Sequence, residues 1–500
     1  MDLASQLTDL INLPVMLIIL TVVLIYLVLL SEPKYIPPGI PKWNLLSSMS
    51  FFMKLGQRHE GTMQKMRTKY GDIFSVYMGP QLIVIVTGYD NIHQVLVKQA
   101  GVFSDRPTWL PGAKEMTKFG KGIGLNDGET WRILRSLTLQ ALCDNGVGKT
   151  SFEEMIFEEV NAITKALLEK QESFEFMPLL TCALNNVINK VVFGVRFDYK
   201  DPEIHSLIGM LDKIFSLPSI LSPFDLLPQC IVRRIPKVHK MRTDKNEALS
   251  ELRAFVDSQI KEHEDEYDSS NIRDLVDLYI KVSKEEDDKN GLFTKGNLFQ
   301  IISELYFGGS ETTSASMDWV FLYMIEYPDI QKKCQEEIQK VCGDKPILYA
   351  DRSKLRYVEA TLLEIQRCAN VASFPLPHGN KRNTTLNGLF IPENTVILVH
   401  LESSNMDSKY WDNPKEFRPE RFLDESGQLV SKPALMPFGE GPRVCPGDAL
   451  AKMELFLFLT NLLQRFTFCR ERDDVQHGFR RRAGRTLQAA PYRMRAVQRK

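Results

Sequence analysis

One cysteine is set apart by its surroundings. Cys445 lies in the stretch Pro437-Phe438-Gly439-Glu440-Gly441-Pro442-Arg443-Val444-Cys445-Pro446-Gly447, with an arginine two residues before it and a glycine two residues after. An apolar helical run, Ala449 to Phe466, follows at once. A thiolate in such a loop can reach out and hold a partner. Loop N–H groups and the positive end of the next helix would stabilise the anion and lower its pKa. The glycines let the backbone turn and approach a flat partner closely. On its own, a cysteine here is more often a buried structural residue, so other groups must decide.

A second set of chemical groups lies at Gly308-Gly309-Ser310-Glu311-Thr312-Thr313. An interior helical glycine costs about 1 kcal/mol against alanine, so something should offset the pair: close approach of a ligand, or a groove. A helix opened at glycine can hold a hydroxyl and a water beside a bound oxygen species. Thr312 is the candidate hydroxyl and Glu311 the candidate acidic relay toward solvent. The plainer alternative is a Ser/Thr face bonding back to carbonyls four residues earlier. Further along, Glu364 and Arg367 share one helix face, and Arg421 follows in Phe417-Arg418-Pro419-Glu420-Arg421-Phe422.

These groups need a frame to hold them. The region from Thr294 to Tyr327, before Pro328, can run as one helix of about 50 Å, enough to cross a domain. Ala248, Leu249, Leu252, Phe255, Val256 and Ile260 recur at helical spacing between charged residues. The run Lys284 to Lys289 is a solvated loop by composition. Ile73–Tyr77 and Leu82–Val86, around Gly79-Pro80, read as a hairpin; Leu389–Ile391 and Val396–Val399, around Pro392-Glu393-Asn394, read as another. No linker interrupts the chain after residue 45. The expected fold class is mainly α with small β-sheets (α+β), in one large helical domain.

With 62 basic and 63 acidic residues, the net charge of -1 gives no support for a nucleic-acid partner. No charged residue occurs from Leu10 to Leu30, which is long enough for one bilayer crossing. Asp2 and Asp9 precede this run, which does not fit the basic start of a cleaved signal peptide. Lys34, Lys42, Lys54 and Arg58 follow it, which predicts a cytosolic domain. The expected organisation is a membrane anchor over 1–31, a proline-rich hinge over 32–45 and a catalytic domain over 46–500. The eight cysteines contain no C-x-x-C pair and fit neither a zinc site nor a disulfide scaffold.

A haem iron held by cysteine thiolate is one known use of a loop like that of Cys445. The pattern Phe438-x-x-Gly441-x-Arg443-x-Cys445-x-Gly447 resembles the haem-binding signature of the cytochrome P-450 monooxygenases, in particular animal microsomal members that metabolise drugs and steroids. Gly308 to Thr313 is similar to that family's oxygen-activation motif, and Glu364, Arg367 and Arg421 to its buried Glu-Arg-Arg triad. Trp131-Arg132-Ile133-Leu134-Arg135 looks like its W-x-x-x-R helix. The resemblance implies the cytochrome P-450 fold, haem b (iron protoporphyrin IX), and Cys445 as the axial iron ligand. It places Trp131, Arg135, Arg443, Arg106 and His378 at the haem propionates, and Phe438 in the haem loop. It implies insertion of one oxygen atom from O2 into a lipophilic substrate: a steroid, a fatty acid or a xenobiotic. Electrons would come from a membrane-bound NADPH-dependent flavoprotein reductase, at the endoplasmic reticulum membrane, and Arg132 and Lys452 could meet its acidic surface. Segments Trp109–Gly124, Phe215–Leu227 and Phe374–Leu376, with Phe307 and Leu487, would line the substrate site. The chain departs from the pattern in carrying Gly308 where Ala is more usual, and Pro442 and Pro446 beside the fixed positions. A peroxide-using isomerase would not need Glu311 and Thr312, and a haem sensor would take up no electrons.

Overall fold

The computed structural model describes residues 17–18, 20–21, 35–144, 150–169, 174–215, 224, 233–285, 291–470 and 494–499. Most of the apolar N-terminal run, positions 216–223 and 225–227 of the segment Phe215–Leu227, the end of the acidic run after Glu285, and Leu487 lie outside the described residues. Among the described residues no helix is long and apolar enough to cross a membrane, and seven cysteines are free thiols.

Helix α1, Leu45–Tyr70, is capped by the Asn44 side chain on Ser47 N–H and stops at Gly71, whose φ of 93° suits glycine. Strands β1 (Ile73–Met78) and β2 (Gln81–Val86) then form the expected antiparallel hairpin. The short α2 (Tyr89–His93) runs into a π turn, Gln94–Lys98. Next come α3 (Gly128–Asp144), α4 (Met177–Phe193) and α5 (Pro236–Glu266). In α5 the repeat of Ala248, Leu252, Val256 and Ile260 is buried, as the four-residue spacing predicts.

The long helix forms as α6 (Lys295–Tyr306), a five-residue π turn (Phe307–Glu311) and α7 (Thr312–Glu326). Thr294 caps its start by accepting from Asn297 N–H. α7 is buried almost all round, as expected of a helix through the centre of a domain. Helix α8 (Arg356–Ala369) ends on left-handed Asn370, and α9 (Asp448–Arg465) follows the cysteine loop. The main core joins α3 to α9 through side chains such as Ile188, Phe321 and Phe456, each contributing about 1.5–3 kcal/mol when fully buried.

The second predicted hairpin does not form. Strand β5 (Leu389–Ile391) pairs with β4 (Thr384–Leu386) across Asn387-Gly388, whereas β6 (Val396–Val399) leaves for another sheet. That sheet has the order β1-β2-β6-β3, with β6 parallel to β2 and antiparallel to β3 (His378–Gly379). All four residues of β6 are buried, so it fits a central strand better than the edge of a hairpin. A last pair, β7 (Phe466–Arg470) and β8 (Met494–Gln498), closes onto the main core.

Candidate active site

The cysteine loop is seated on the π turn after α2. Gly439 and Gly441 have φ values of 72° and 74°, which an L side chain adopts only under strain. A Cβ on Gly441 would stand 2.0 Å from Leu96 O, so backbone here lies directly on backbone. Glu440, between the two glycines, meets His93 Nδ1 at 2.8 Å. Cys445 N–H donates to Phe438 O at 3.1 Å, which closes the loop below the sulfur. The Phe438 ring lies 5.1 Å from Lys452 Nζ, and Lys452 is itself paired with Asp448 at 2.9 Å.

The expectation of a lowered Cys445 pKa is not met. Burial pushes the thiol up, and the Gly447 N–H, Arg135 and Lys452 only partly oppose it; Asp448 adds to the rise. Desolvation of the anion outweighs the dipoles around it. A thiolate at this sulfur therefore needs a cationic partner, which a metal centre would be.

Behind the loop three guanidinium groups converge. Arg443, on the loop, donates to Ser104 O at 2.9 Å and to Asn126 O at 2.8 Å, and its guanidinium lies 3.6 Å from the centre of the Trp131 ring. Arg135, one turn along α3, donates to Val444 O at 2.6 Å. Arg106 is buried and reaches Gly124 O at 3.0 Å, Leu376 O at 2.8 Å and Pro377 O at 2.9 Å. Burial together with Arg443 and Arg135 pushes Arg106 down to about 9, and burial pushes Arg443 down to about 10; both remain cations at neutral pH. Such crowding is costly unless anions approach.

Two donors in this cluster point to what would approach. Trp131 Nε1 and Arg443 Nη1 are buried and have no hydrogen-bond partner. Orphaned donors beside crowded cations suit a carboxylate-bearing ligand lying over Cys445, and the two propionates of haem fit this set. His378 fits it less well. Its Nδ1 bonds to Phe103 O at 2.8 Å, and burial, with Arg106 nearby, keeps its pKa well below the usual histidine range. It is therefore neutral, with the proton on Nδ1, and Nε2 would accept rather than donate.

The glycine pair of the long helix sits in its π turn, and the two glycines differ. A Cβ on Gly309 would lie 2.4 Å from Ile188 Cδ1, so this glycine lets α4 approach. A Cβ on Gly308 would meet nothing within 4 Å, so that side is open. Thr312 Oγ1 donates to Gly308 O across the widened turn. The bond is the back-bonding form, but it holds the hydroxyl against the open side. Glu311 is the last residue of the π turn and is partly buried.

Glu364, Arg367 and Arg421 come together as one buried unit. Arg367 Nε and Nη2 meet the two Glu364 oxygens at 2.7 Å and 2.8 Å, and Arg421 Nε meets Oε1 at 2.9 Å. Arg367 also donates to the carbonyls of Asn405, Pro414 and Glu416, and Arg421 to those of Asp412 and Glu416. Two side chains thereby tie down the irregular chain that leads to the cysteine loop.

Sequence reasoning missed two residues here. His93 is 347 positions from Glu440, and no local pattern announces their contact. Glu304 on α6 accepts from Ile123 N–H at 2.6 Å and from Gly124 N–H at 2.9 Å. The alternating glycines of Gly120-Lys121-Gly122-Ile123-Gly124 were the available signal.

Comparison with known proteins finds relatives over most of the chain. The sequence profile of the family described as Cytochrome P450 matches residues 37–494. The chain is 36% identical over 456 residues to Cytochrome P450 2B19 of Mus musculus, covering 89% of this chain and 90% of that protein. It is 35% identical over 437 residues to Cytochrome P450 2B4 of Oryctolagus cuniculus, covering 86% and 87%. It is 35% identical over 430 residues to Cytochrome P450 2U1 of Homo sapiens, covering 85% and 78%.

Proposed function

The chain belongs to the cytochrome P450 family of haem-dependent monooxygenases acting on lipophilic substrates, and on that premise we propose how its own residues divide the work. When bound, the haem iron supplies dioxygen activation and delivery of one oxygen atom to the substrate, with electrons from a reductase. Cys445 would hold the haem iron, its loop fixed by the bond of its N–H to the Phe438 carbonyl and by the seat of Gly441 on Leu96 O. Arg443, Arg135, Arg106 and Trp131 would bind the propionates. His378 would keep its bond to Phe103 O and pack alongside.

Thr312 would hold a water on the open side of the π turn, and Glu311 would pass protons to it from solvent. Glu364, Arg367 and Arg421 would act structurally, keeping the loop in register. We assign residues 1–31 to a single membrane anchor at the endoplasmic reticulum, 32–45 to a hinge and 46–500 to a cytosolic catalytic domain. Support for the anchor is the uncharged run before Lys34. The reductase would be a membrane-bound NADPH-dependent flavoprotein, met by basic residues such as Arg132 and Lys452.

The observation that carries this reading is the pair of orphaned donors, Trp131 Nε1 and Arg443 Nη1, buried among three guanidiniums beside Cys445. A ferrous–carbon monoxide difference spectrum tests it. The wild type should give the thiolate-type band and Cys445→Ser should lose it; a Cys445→Ser protein that keeps the band would overturn the ligand assignment.

A further inference from the structure

The short helix Leu401–Asn405, after β6, is buried along its whole length although its last four residues are polar. Three of these fasten it to its neighbours. Ser403 Oγ accepts from Gly88 N–H at 2.8 Å and donates to His400 O. Ser404 Oγ donates to Ala434 O at 2.8 Å. Asn405 Nδ2 donates to Asn370 Oδ1 at 2.7 Å, and Asn405 Oδ1 accepts from Met436 N–H at 3.0 Å. The helix therefore joins the end of α8 to the chain that enters the cysteine loop.

The fourth, Glu402, is a buried carboxyl group that faces a buried imidazole. Its Oε2 lies 3.7 Å from His400 Nε2 and 3.0 Å from Ser373 Oγ. Ser373 is held from two further sides: its carbonyl accepts from Leu401 N–H at 2.9 Å, and its hydroxyl lies 2.9 Å from Asn370 O. The His400 ring lies on Phe374, with ring centres 4.7 Å apart and planes 30° apart. A carboxylate taken out of water is costly unless an opposite charge faces it, and so is an imidazolium. The two groups are therefore most stable when they hold one proton between them. An ion pair, and a carboxylic acid beside a neutral imidazole, both meet that condition.

Phe374 opens the stretch Phe374-Pro375-Leu376, which is apolar and only partly buried between buried Ser373 and buried Pro377. Arg106, in the cation cluster, holds the far end by the carbonyls of Leu376 and Pro377. The near end is set by Ser373 and by the ring of His400. We propose that His400 and Glu402 are positioning residues for selectivity: sharing one proton, they hold Phe374 at one place in the wall of the substrate site and so set which lipophilic substrates fit. This rests on the monooxygenase reading, because it takes Phe374–Leu376 as that wall. Both residues act through Ser373 and Phe374.

The test uses full-length holoenzyme. His400→Phe keeps a ring on Phe374 but leaves the Glu402 carboxylate without its imidazole, and the double variant His400→Phe/Glu402→Gln removes that charge while keeping an acceptor for Ser373. Hydrogen exchange of the Leu401 amide, which donates to Ser373 O, should speed up about tenfold in His400→Phe and return in the double variant. Tritylimidazole and phenylimidazole, a bulky and a small azole, are read by their absorbance shifts. Their affinity ratio should change about tenfold in His400→Phe, as for a displaced wall side chain. In the double variant it should come back to within about threefold of wild type. Unchanged amide exchange in His400→Phe overturns the positioning role. An unchanged azole ratio overturns the control of selectivity, and so does a changed ratio that Glu402→Gln does not restore, because ring shape would then be the cause. Should His400→Phe fail to fold, Glu402→Gln and Glu402→Leu decide. The first should keep the wild-type ratio and the second, with no acceptor for Ser373, should shift it about tenfold; equal ratios overturn the proposal. The ferrous–carbon monoxide band of the wild type checks the haem-thiolate reading separately, since amide exchange does not depend on it.

Discussion

Arg443 lies flat on Trp131, its guanidinium 3.6 Å from the ring centre, and each leaves one buried nitrogen, Nη1 and Nε1, without a partner. Stacking fixes the arginine fork in place before any anion arrives, which lowers the ordering cost of binding one. Arg443→Lys keeps a charge but loses the plane and the fork. It should cut haem retention about tenfold to a hundredfold, measured as haem content after gel filtration. Trp131→Phe keeps the stacking surface and loses only Nε1–H, so it should have the smaller effect. Equal retention in all three proteins would show that the orphaned donors face no ligand.

The Glu364–Arg367–Arg421 unit should behave as a structural element. Glu364 and Arg367 are fully buried, so Glu364→Ala strands two guanidiniums among backbone carbonyls. Losing one partner of such a unit costs about 3–5 kcal/mol. Denaturant titration should show that loss, with poor haem incorporation even under mild expression. Turnover per bound haem in the surviving fraction should be close to wild type. A stable, fully loaded Glu364→Ala protein with slow chemistry would reverse this assignment.

Thr312→Ala removes the hydroxyl bonded to Gly308 O and leaves the π turn otherwise intact. If Thr312 positions a proton-bearing water, product per electron consumed should fall about a hundredfold while peroxide release rises. Thr312→Ser should recover most of the coupling. The measurement is simultaneous assay of reductant, product and peroxide. Unchanged coupling in Thr312→Ala would leave the residue with its back-bonding role alone.

Short-range patterns made much of this site legible before the fold was described. The Cys445 loop, the glycine pair, Glu364 with Arg367, and Trp131 with Arg135 are each within one turn or one loop. Their residue types constrain the chemistry directly. What the sequence could not show is pairing over long distances. Strand β6 reads as the second arm of a hairpin, because Pro392-Glu393-Asn394 looks like a turn. It is captured instead by β2, more than 300 residues earlier, where its apolar residues are buried on both faces. Loop entropy rises only slowly with length, so local turn signals lose to burial of this kind. The thiol pKa was misjudged for a related reason. Dipoles are visible in a local sequence, whereas desolvation depends on the whole fold.

His263, near the end of α5, should give the fold a pH dependence. Its Nε2 meets Asp274 Oδ2 at 2.9 Å and its Nδ1 meets Gln259 O at 2.7 Å. His263, Asp274 and Asp277 lie within 4.8 Å of one another, but Asp277 is taken by Arg273 at 2.7 Å, so the group is an ion-pair network. Burial alone would lower the histidine, yet the bond and charge of Asp274 outweigh it and the pKa is raised above 6.5. Folding therefore favours the protonated ring. That stabilisation is complete below pH 6.5 and is lost as pH rises through the raised value. Urea midpoints of wild type and His263→Gln should differ most below pH 6.5 and converge as the pH rises through the raised value. A constant difference across that range would mean that His263 contributes packing alone.

Pro446 is the residue after the sulfur and brings no N–H, while the Gly447 N–H is the backbone donor acting on Cys445. Each hydrogen bond to a thiolate withdraws electron density that would otherwise reach the iron. Pro446→Ala restores one donor at the adjacent peptide. The reduction potential of the haem should therefore rise, and the electron push toward O–O cleavage should weaken. Pro442→Ala, at the centre of the 3-10 turn Gly441–Arg443 and three residues before the sulfur, should shift the potential less. Both are measured by dye-equilibrated spectroelectrochemical titration, with the ferrous–carbon monoxide band confirming that the thiolate is retained. An unchanged potential in Pro446→Ala would mean that the restored N–H points away from the sulfur, and the role of Pro446 would then be limited to stiffening the loop.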